Sequence, residues 1–407
     1  MNNIPKHWQI KKLGEVFNIY RGGSPRPIKD FLTDDKDGIN WIKIGDVDNG
    51  SKYITKTKQK IIKSGLQKSR EVNAGDLLLT NSMSYGRPYI SKIKGAIHDG
   101  WLVFYPKIDI CKNYVFYFFT SFKTYENLSS LAVGSTVKNL QIKFIENLEI
   151  PLPPLDEQNK IVEKIEDCFE KIDFAILKLE KSKELIKTYK QSVLSDAFNG
   201  KLINSNSKHW QIKKLGEVFN IYRGGSPRPI KDFLTDDKDG INWIKIGDVD
   251  NGSKYITKTK QKIIKSGLQK SREVNAGDLL LTNSMSYGRP YISKIKGAIH
   301  DGWLVFYPKI DICKNYVFYF FTSFKTYENL SSLAVGSTVK NLQIKFIENL
   351  EIPLPPLDEQ NKIVLEIEKR FKVADSTLSL IEENLQKAKV LKQSILQKAF
   401  NGELVKD

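Results

Sequence analysis

Cysteine is scarce in this 407-residue chain, and the three present, Cys111, Cys168 and Cys313, form no CxxC pair and no Cys/His ligand spacing. That pattern argues against a zinc site or a disulfide framework and fits free thiols in a reducing compartment. Histidine is nearly as rare: His7, His98, His209 and His300 stand in no HExxH and in no recognisable triad. There is no GxxxxGK[ST] phosphate loop and no GxGxxG after a strand. The chain itself is therefore expected to hold no metal and no cofactor and to be non-catalytic. No apolar run approaches a membrane span. The opening residues MNNIPKHWQI lack the core of a signal peptide, so the expected location is the cytoplasm.

What the chain does have is the same module twice. Lys6–Val162 returns unchanged as Lys208–Val364, 157 residues at a fixed offset of 202. Such a length can bury a core of its own, so each copy reads as an independent domain rather than a solenoid repeat. The net charge of +17 also resides in the repeat: each copy carries 24 Lys and Arg against 16 Asp and Glu. The remaining segments are nearly neutral. A cationic module joined by neutral connectors suits a polyanion-binding domain on a protein-facing frame.

The module reads as mixed α/β. Strands are predicted over Gly38–Val47, Gly75–Ser82, Arg87–Ile93 and Ala96–Tyr105, where β-branched and aromatic residues cluster between Gly or Asn. A helix is predicted over Asn113–Ala132, and a closing strand over Leu148–Leu152 before Pro153-Pro154. A different pattern then begins, with Asp156 as a helix N-cap. Ile161, Ile165, Cys168, Ile172, Ala175, Leu179, Ser182, Ile186, Tyr189 and Val193 recur at four- and three-residue spacing, and the run ends at Gly200. After the second copy a helix of different sequence follows, with a seam from Ile363 through Ile367, Phe371, Ala374, Leu378, Ile381, Leu385, Ala388 and Leu391 to Ile395. Each helix should be roughly 60 Å long at 1.5 Å per residue. An antiparallel pairing would place one module at each end of a rod.

Binding signals concentrate in the module. Lys52, Lys56, Lys58 and Lys60 fall in a stretch free of acidic residues. On an extended strand Lys56, Lys58 and Lys60 would share one face as a basic ridge for phosphates; lysines that merely block a sheet edge are the bland alternative. Three glycine-bearing loops carry polar and cationic groups: Arg21, Ser24 and Arg26; Asn81, Ser82, Tyr85 and Arg87; and Ser135 and Lys138. Lys43 lies nearby in sequence. Arg pairs with guanine edges, Asn with adenine edges, and Ser with bases or phosphates, although turn chemistry alone also explains such compositions. The second copy repeats the set as Arg223, Ser226, Arg228, Lys245, Lys254, Lys258, Lys260, Lys262, Asn283, Ser284, Tyr287, Arg289, Ser337 and Lys340. The arginines are the better base candidates and the lysines the better phosphate candidates.

Pro151-Leu152-Pro153-Pro154-Leu155-Asp156-Glu157-Gln158 followed by Ile161-Val162, and its copy Pro353–Gln360 with Ile363-Val364, resembles the start of the spacer helices in type I restriction-modification specificity subunits. The helix ends Ala197-Phe198-Asn199-Gly200 and Ala399-Phe400-Asn401-Gly402 are similar to that family's helix close. Ser24-Pro25, Ile39-Asn40-Trp41-Ile42 and Gly134-Ser135-Thr136 resemble its target-recognition domains. The resemblance implies an α+β architecture: mixed α/β target-recognition domains at 1–154 and 203–356, held at opposite ends of an antiparallel two-helix coiled coil formed by spacer helices 155–202 and 357–407. It implies a subunit that reads a bipartite double-stranded DNA target. Two methyltransferase subunits would dock on it to methylate adenine with S-adenosylmethionine, and restriction/translocase subunits would add cleavage with ATP and Mg. Most members carry two different recognition domains. Identical ones imply half-sites that are inverted repeats, hence a palindromic target. The competing readings are a self-contained DNA methyltransferase or nuclease, which lacks a visible cofactor or metal motif here, and a coiled-coil adaptor without DNA, which leaves the module's charge unexplained.

Overall fold

In the computed structural model the described residues are 4–48, 50–82, 86–131, 140–203, 207–250, 252–284, 287–333 and 342–405. The first module contains, in chain order, β1 (Gln9–Lys12), α1 (Leu13–Val16), β2 (Phe17–Arg21), β3 (Leu32–Thr33), β4 (Ile39–Ile42), β5 (Tyr53–Ile54), β6 (Gln59–Ile61), β7 (Arg70–Val72), β8 (Leu77–Thr80), β9 (Pro88–Ser91), β10 (Gly95–Ile97), β11 (Trp101–Pro106), α2 (Lys112–Thr120), α3 (Phe122–Leu131), α4 (Ile142–Glu146) and β12 (Glu149–Leu152), followed by the long helix α5 (Leu155–Phe198). The second module repeats this order from β13 (Gln211–Lys214) to β24 (Glu351–Leu354), with α6 (Leu215–Val218), α7 (Lys314–Thr322), α8 (Phe324–Leu333) and α9 (Ile344–Glu348), and ends in α10 (Leu357–Phe400). The chain is α+β.

Two five-stranded mixed sheets form each module, ordered β2-β11-β8-β9-β5 and β3-β6-β4-β10-β7 in the first. Side-chain alternation sets the layers. Leu77, Leu79, Leu102 and Phe104 face a core shared with α2, while Leu78, Trp101 and Val103 face a second core with Ile42, Val72 and Ile97 of the other sheet. Strand β8 is buried on both faces, which is why it reads as an unbroken Leu run. The outer face of the second sheet packs Trp41, Ile61 and Ala96 beneath Phe31 and Leu66.

Three predicted elements are interrupted, the strand predicted over Gly38–Val47 ending at Ile42 before a 3-10 turn at Ile44–Asp46. The helix predicted over Asn113–Ala132 breaks at Ser121, which is extended at the end of α2. Its hydroxyl donates to the Phe118 carbonyl (2.8 Å) and accepts from Thr124 N–H (3.4 Å), closing one helix and opening the next. The strand predicted over Ala96–Tyr105 is two strands, β10 and β11, separated by a turn at His98-Asp99-Gly100 in which Trp101 N–H donates to the His98 carbonyl (3.0 Å).

The chain divides into two compact units, residues 1–179 with 383–407, and residues 180–382. In the first, Ile161 and Ile165 of α5 and Leu396 and Ala399 of α10 belong to the module's own core. The seam ends thus pack on the domain as well as on the facing helix. Asp173 pairs with Lys392 (2.5 Å). In the second, Lys183 pairs with Glu382 (2.7 Å) and Lys190 with Asp375, so the helices run antiparallel. Ala175, Tyr189 and Leu391 depart from the predicted seam and are exposed.

The Pro-rich motif anchors α5. The helix begins two residues earlier than a cap at Asp156 predicts: Pro154 accepts the first helical bond from Gln158 N–H (2.9 Å), placing Asp156 in the first turn. Glu157 accepts from Trp8 Nε1 and pairs with His7 Nε2 (both 2.9 Å). Buried Gln158 accepts from Cys111 N–H (3.0 Å) and donates to the Pro153 carbonyl (2.9 Å). The predicted glycine caps are present, Gly200 and Gly402 having φ of 70° and 75°.

Candidate nucleic-acid interface

Strand β2 ends at Arg21, and the chain then passes between the β10–β11 turn and the segment before β7. Only glycine fits that passage. A Cβ on Gly22 would lie 2.3 Å from the His98 carbonyl oxygen, and one on Gly23 would lie 2.4 Å from that of Lys68. Gly22 N–H donates to Trp101 O (2.9 Å) and Gly23 N–H to Ile97 O (3.1 Å). This threading places Arg21, Ser24 and Arg26 on the rim of a cleft of about 1140 Å³, with Lys43 and Gln59 contributed by the second sheet and Ser82 by the loop after β8.

Five predicted residues, Arg21, Ser24, Arg26, Lys43 and Ser82, therefore converge from three separated segments. Lys29, His98 and Asp99 join them and were missed from the sequence; the Asp99-Gly100 dipeptide, a turn signal inside an apolar run, was the available clue. The turn organises the site. Arg21 Nε donates to the Asp99 carbonyl (2.7 Å), and the Ser24 hydroxyl donates to Asp99 Oδ1 (2.9 Å). His98 Nδ1 accepts from Gly100 N–H (3.0 Å), which assigns its proton to Nε2, and Nε2 lies 2.9 Å from Asp99 Oδ1. Burial pushes the His98 imidazole below its ordinary pKa; Lys43, Arg21 and Arg26 push the same way and Asp99 opposes them. Lys43 Nζ donates to Gln59 Oε1 (2.7 Å). The second module repeats these contacts: Arg223 to the Asp301 carbonyl (2.7 Å), Ser226 to Asp301 Oδ1 (3.0 Å), His300 Nε2 to the same oxygen (2.9 Å) and Lys245 to Gln261 (2.6 Å).

Other candidates lie elsewhere. The basic ridge does not form, because β6 covers only Gln59–Ile61 and the chain bends before it, where Thr57 Oγ1 donates to the Gln59 carbonyl (3.0 Å). Lys58 Nζ donates to the Gly45 carbonyl (3.0 Å) and Lys60 Nζ to that of Lys36 (2.7 Å); Lys56 is exposed. Lys260 and Lys262 repeat these bonds, and Lys258 is exposed. Lys52 turns to the helix instead of the cleft: its Nζ pairs with Glu166 of α5 (2.6 Å) over the Tyr117 ring (4.7 Å). Lys254 does the same with Glu368 (2.7 Å). Asn81 and Asn283 are buried, each accepting on its backbone carbonyl from Leu140 or Leu342 N–H (both 3.1 Å). Arg87 and Arg289 are exposed and lie beside Tyr89 and Tyr291, where burial raises the hydroxyl pKa and the arginine charge draws it toward lower values. Ser284 is half-buried. Tyr287 bonds Ser331 (3.0 Å) and stacks parallel to Tyr327. Tyr85, Ser135, Lys138, Ser337 and Lys340 lie outside the described residues.

A second cavity, of about 630 Å³, lies in the first unit between α3 and the end of α10, lined by Phe118, Phe122, Val390 and Phe400 with Lys123, Glu126 and Glu149. Its charge is mixed and its walls largely apolar, so it is a poor polyanion site. No helix among the described residues is long and apolar enough to cross a membrane.

Comparisons with known proteins converge on one family. The profile described as "Type I restriction modification DNA specificity domain" matches residues 5–185 and 207–389. The chain is 26% identical over 431 residues to the type I restriction enzyme EcoKI specificity subunit of Escherichia coli K12, covering 98% of this chain and 90% of that one. In fold it is similar to the HsdS subunit of Thermoanaerobacter tengcongensis, with a TM-score of 0.65, 21% identity and 98% coverage of both chains. It is also similar to a chain from a solved type I restriction-modification system, with a TM-score of 0.79, 21% identity, and coverage of 99% of this chain and 100% of the other. This chain belongs to the family of type I restriction-modification specificity subunits.

Proposed function

We propose that this chain is the DNA-reading subunit of a type I restriction-modification complex, each module laying its cationic cleft on one half of a bipartite target. The observation that carries this reading is the convergence of Arg21, Arg26, Lys29 and Lys43 in one cleft. The second module repeats the contacts that build it. In this reading the chain is non-catalytic and cofactor-free: S-adenosylmethionine, ATP and Mg belong to two methyltransferase subunits and to restriction/translocase subunits that assemble with it. Module identity, together with antiparallel helix pairing within the second unit, supports half-sites that are inverted repeats. A methylome of cells carrying this subunit and its methyltransferase partner tests the reading, with a palindromic bipartite motif expected; a non-palindromic motif refutes the symmetry. In the assembled complex, Lys43→Ala with Lys245→Ala should weaken DNA binding across sequences, because the lysines are the phosphate candidates. Each lost phosphate contact should shift the log-affinity versus log-salt slope by about one. An unchanged slope with an altered motif would move these lysines from phosphate to base.

A further inference from the structure

The cleft is cationic except for one group. Asp99 stands among Arg21, Arg26, Lys29 and Lys43, with 34% of its side chain exposed. A site that only cradled phosphates would be weakened by a carboxylate, because like charges repel. Nor does the turn depend on that side chain alone. Its backbone is held by Gly100 N–H on His98 Nδ1 (3.0 Å), Trp101 N–H on His98 O (3.0 Å) and Asn81 N–H on Gly100 O (2.7 Å).

The carboxylate is oriented through one oxygen. Oδ1 receives both the Ser24 hydroxyl and His98 Nε2–H, and Asp301 Oδ1 receives Ser226 and His300 in the same way. Two bonds on Oδ1 orient the group, and among the described residues the hydrogen bonds fall on Oδ1, leaving Oδ2 to an incoming donor. With Nδ1 taken by Gly100 N–H, His98 donates from Nε2, so Asp99 faces the cleft as an acceptor. In the major groove guanine shows two acceptors, thymine an acceptor and a methyl, and adenine an acceptor beside its amine; cytosine alone offers a donor without an adjacent acceptor of its own.

We propose that Asp99 and Asp301 are specificity-determining residues that each accept a hydrogen bond from the N4 amine of a cytosine in one half-site, with the exposed guanidinium of Arg26 or Arg228 directed to the paired guanine. This rests on the DNA-reading function proposed above. It assigns a base to the group in the cleft least suited to the phosphate backbone.

The test uses the complete complex with its methyltransferase partner and duplexes carrying its methylated motif. Each cytosine of the motif is replaced singly by 2-pyrimidinone, which lacks the exocyclic amine. One position per half-site should lose about 10-fold or more in affinity, within the range for a hydrogen bond to a charged group. That penalty should vanish in a complex bearing Asp99→Ala and Asp301→Ala, while the salt slope stays unchanged. Tolerance at every cytosine, a motif without cytosine, or a penalty of equal size in the variant would overturn the proposal. The scan on the unaltered protein decides even where the variant folds poorly. If the unaltered complex shows neither a methylated motif nor salt-sensitive binding, the DNA-reading function fails first, and the two failures are distinct.

Discussion

The two long helices carry identical modules yet differ from each other, and the positions where they agree are informative. Within the diverged part of α5 and α10, the matched residues include Glu166/Glu368, Phe169/Phe371, Asp173/Asp375, Lys190/Lys392, Gln191/Gln393, Leu194/Leu396, Ala197/Ala399 and Phe198/Phe400. These touch a module or the facing helix. Glu166 and Glu368 hold Lys52 and Lys254. Gln393 and Gln191 accept from Phe122 and Phe324 N–H, both at 2.8 Å. Phe400 and Phe198 pack edge-on against Phe118 and Phe320. Facing solvent, the agreement ends: Phe174, Leu177 and Leu185 of α5 stand where α10 has Ser376, Ser379 and Lys387, and Leu365, Val373 and Leu380 of α10 where α5 has Glu163, Lys171 and Lys178. An unchanging module surface dictates its docking partners, while the outer faces are released from that constraint.

The largest effects should come from the shared positions. Ile165 and Ile367 are fully buried in the two module cores. Ile165→Ala and Ile367→Ala should each cost about 2–5 kcal/mol through lost burial and the cavity left behind. If docking is equivalent, the two variants should lower the denaturant midpoint by matching amounts. A large inequality would break the comparison at its centre.

Next in size is the pair that ties module to helix. Lys52 retains only 16% of its side-chain exposure, beneath Glu166 and against Tyr117. Glu166→Ala should cost about 1–3 kcal/mol by leaving that ammonium without its charged acceptor, and Glu368→Ala should match it. Lys52→Met combined with Glu166→Ala should recover part of the loss, since the cost comes from the orphaned charge. Additive losses in that double-mutant cycle would show that the pair does not act as one.

Much of this was legible in the sequence, for physical reasons that can be named. The repeat, the helices and their glycine ends follow from periodicity and capping, which are local. Arg21, Ser24 and Arg26 were found because a Gly-Gly passage is itself a local signal. Lys52 was misplaced because its partner Glu166 is 114 residues away, and charge counting cannot see which carboxylate a lysine meets. The alternation of Lys56, Lys58 and Lys60 promised a strand, but Thr57 bends the backbone. His98 and Asp99 were hidden inside a run of strand-forming residues, and the break there is made by the turn's own bonds and by the close passage of Gly22.

The His98 turn gives a smaller, pH-dependent effect that compares the two copies directly. Burial, reinforced by Lys43, Arg21 and Arg26, lowers the folded-state pKa of His98 below its unfolded value near 6.5, and His300 shifts in the same direction for the same reasons. Well above pH 6.5, from about pH 7.5, neither state holds the proton and the group contributes nothing to pH dependence. As pH falls through about 6.5 the unfolded chain binds a proton that the folded chain refuses, so stability declines until the folded-state pKa is reached. His98→Asn and His300→Asn should each flatten the fall in Tm between pH 7.5 and 5.5, by similar amounts, and together by more. Single variants with the same pH slope as the parent would show that the turn is not where this acid sensitivity lies.

The smallest effect is expected on the outer face of α10. Leu365, Val373 and Leu380 are 67%, 65% and 58% exposed. Replacing them by the residues α5 carries at those positions, as Leu365→Glu, Val373→Lys and Leu380→Lys, removes little buried area and exchanges a β-branched residue for a better helix former. Each change should stay within about 0.5 kcal/mol, and amide exchange around the Lys254–Glu368 pair should be unaltered. A loss of several kcal/mol would mean that this face is held by contacts as specific as those of the docking face. The division between a dictated inner surface and a released outer one would then be wrong for α10, and the differences between the helices would need an explanation from what α10 touches in the assembled complex.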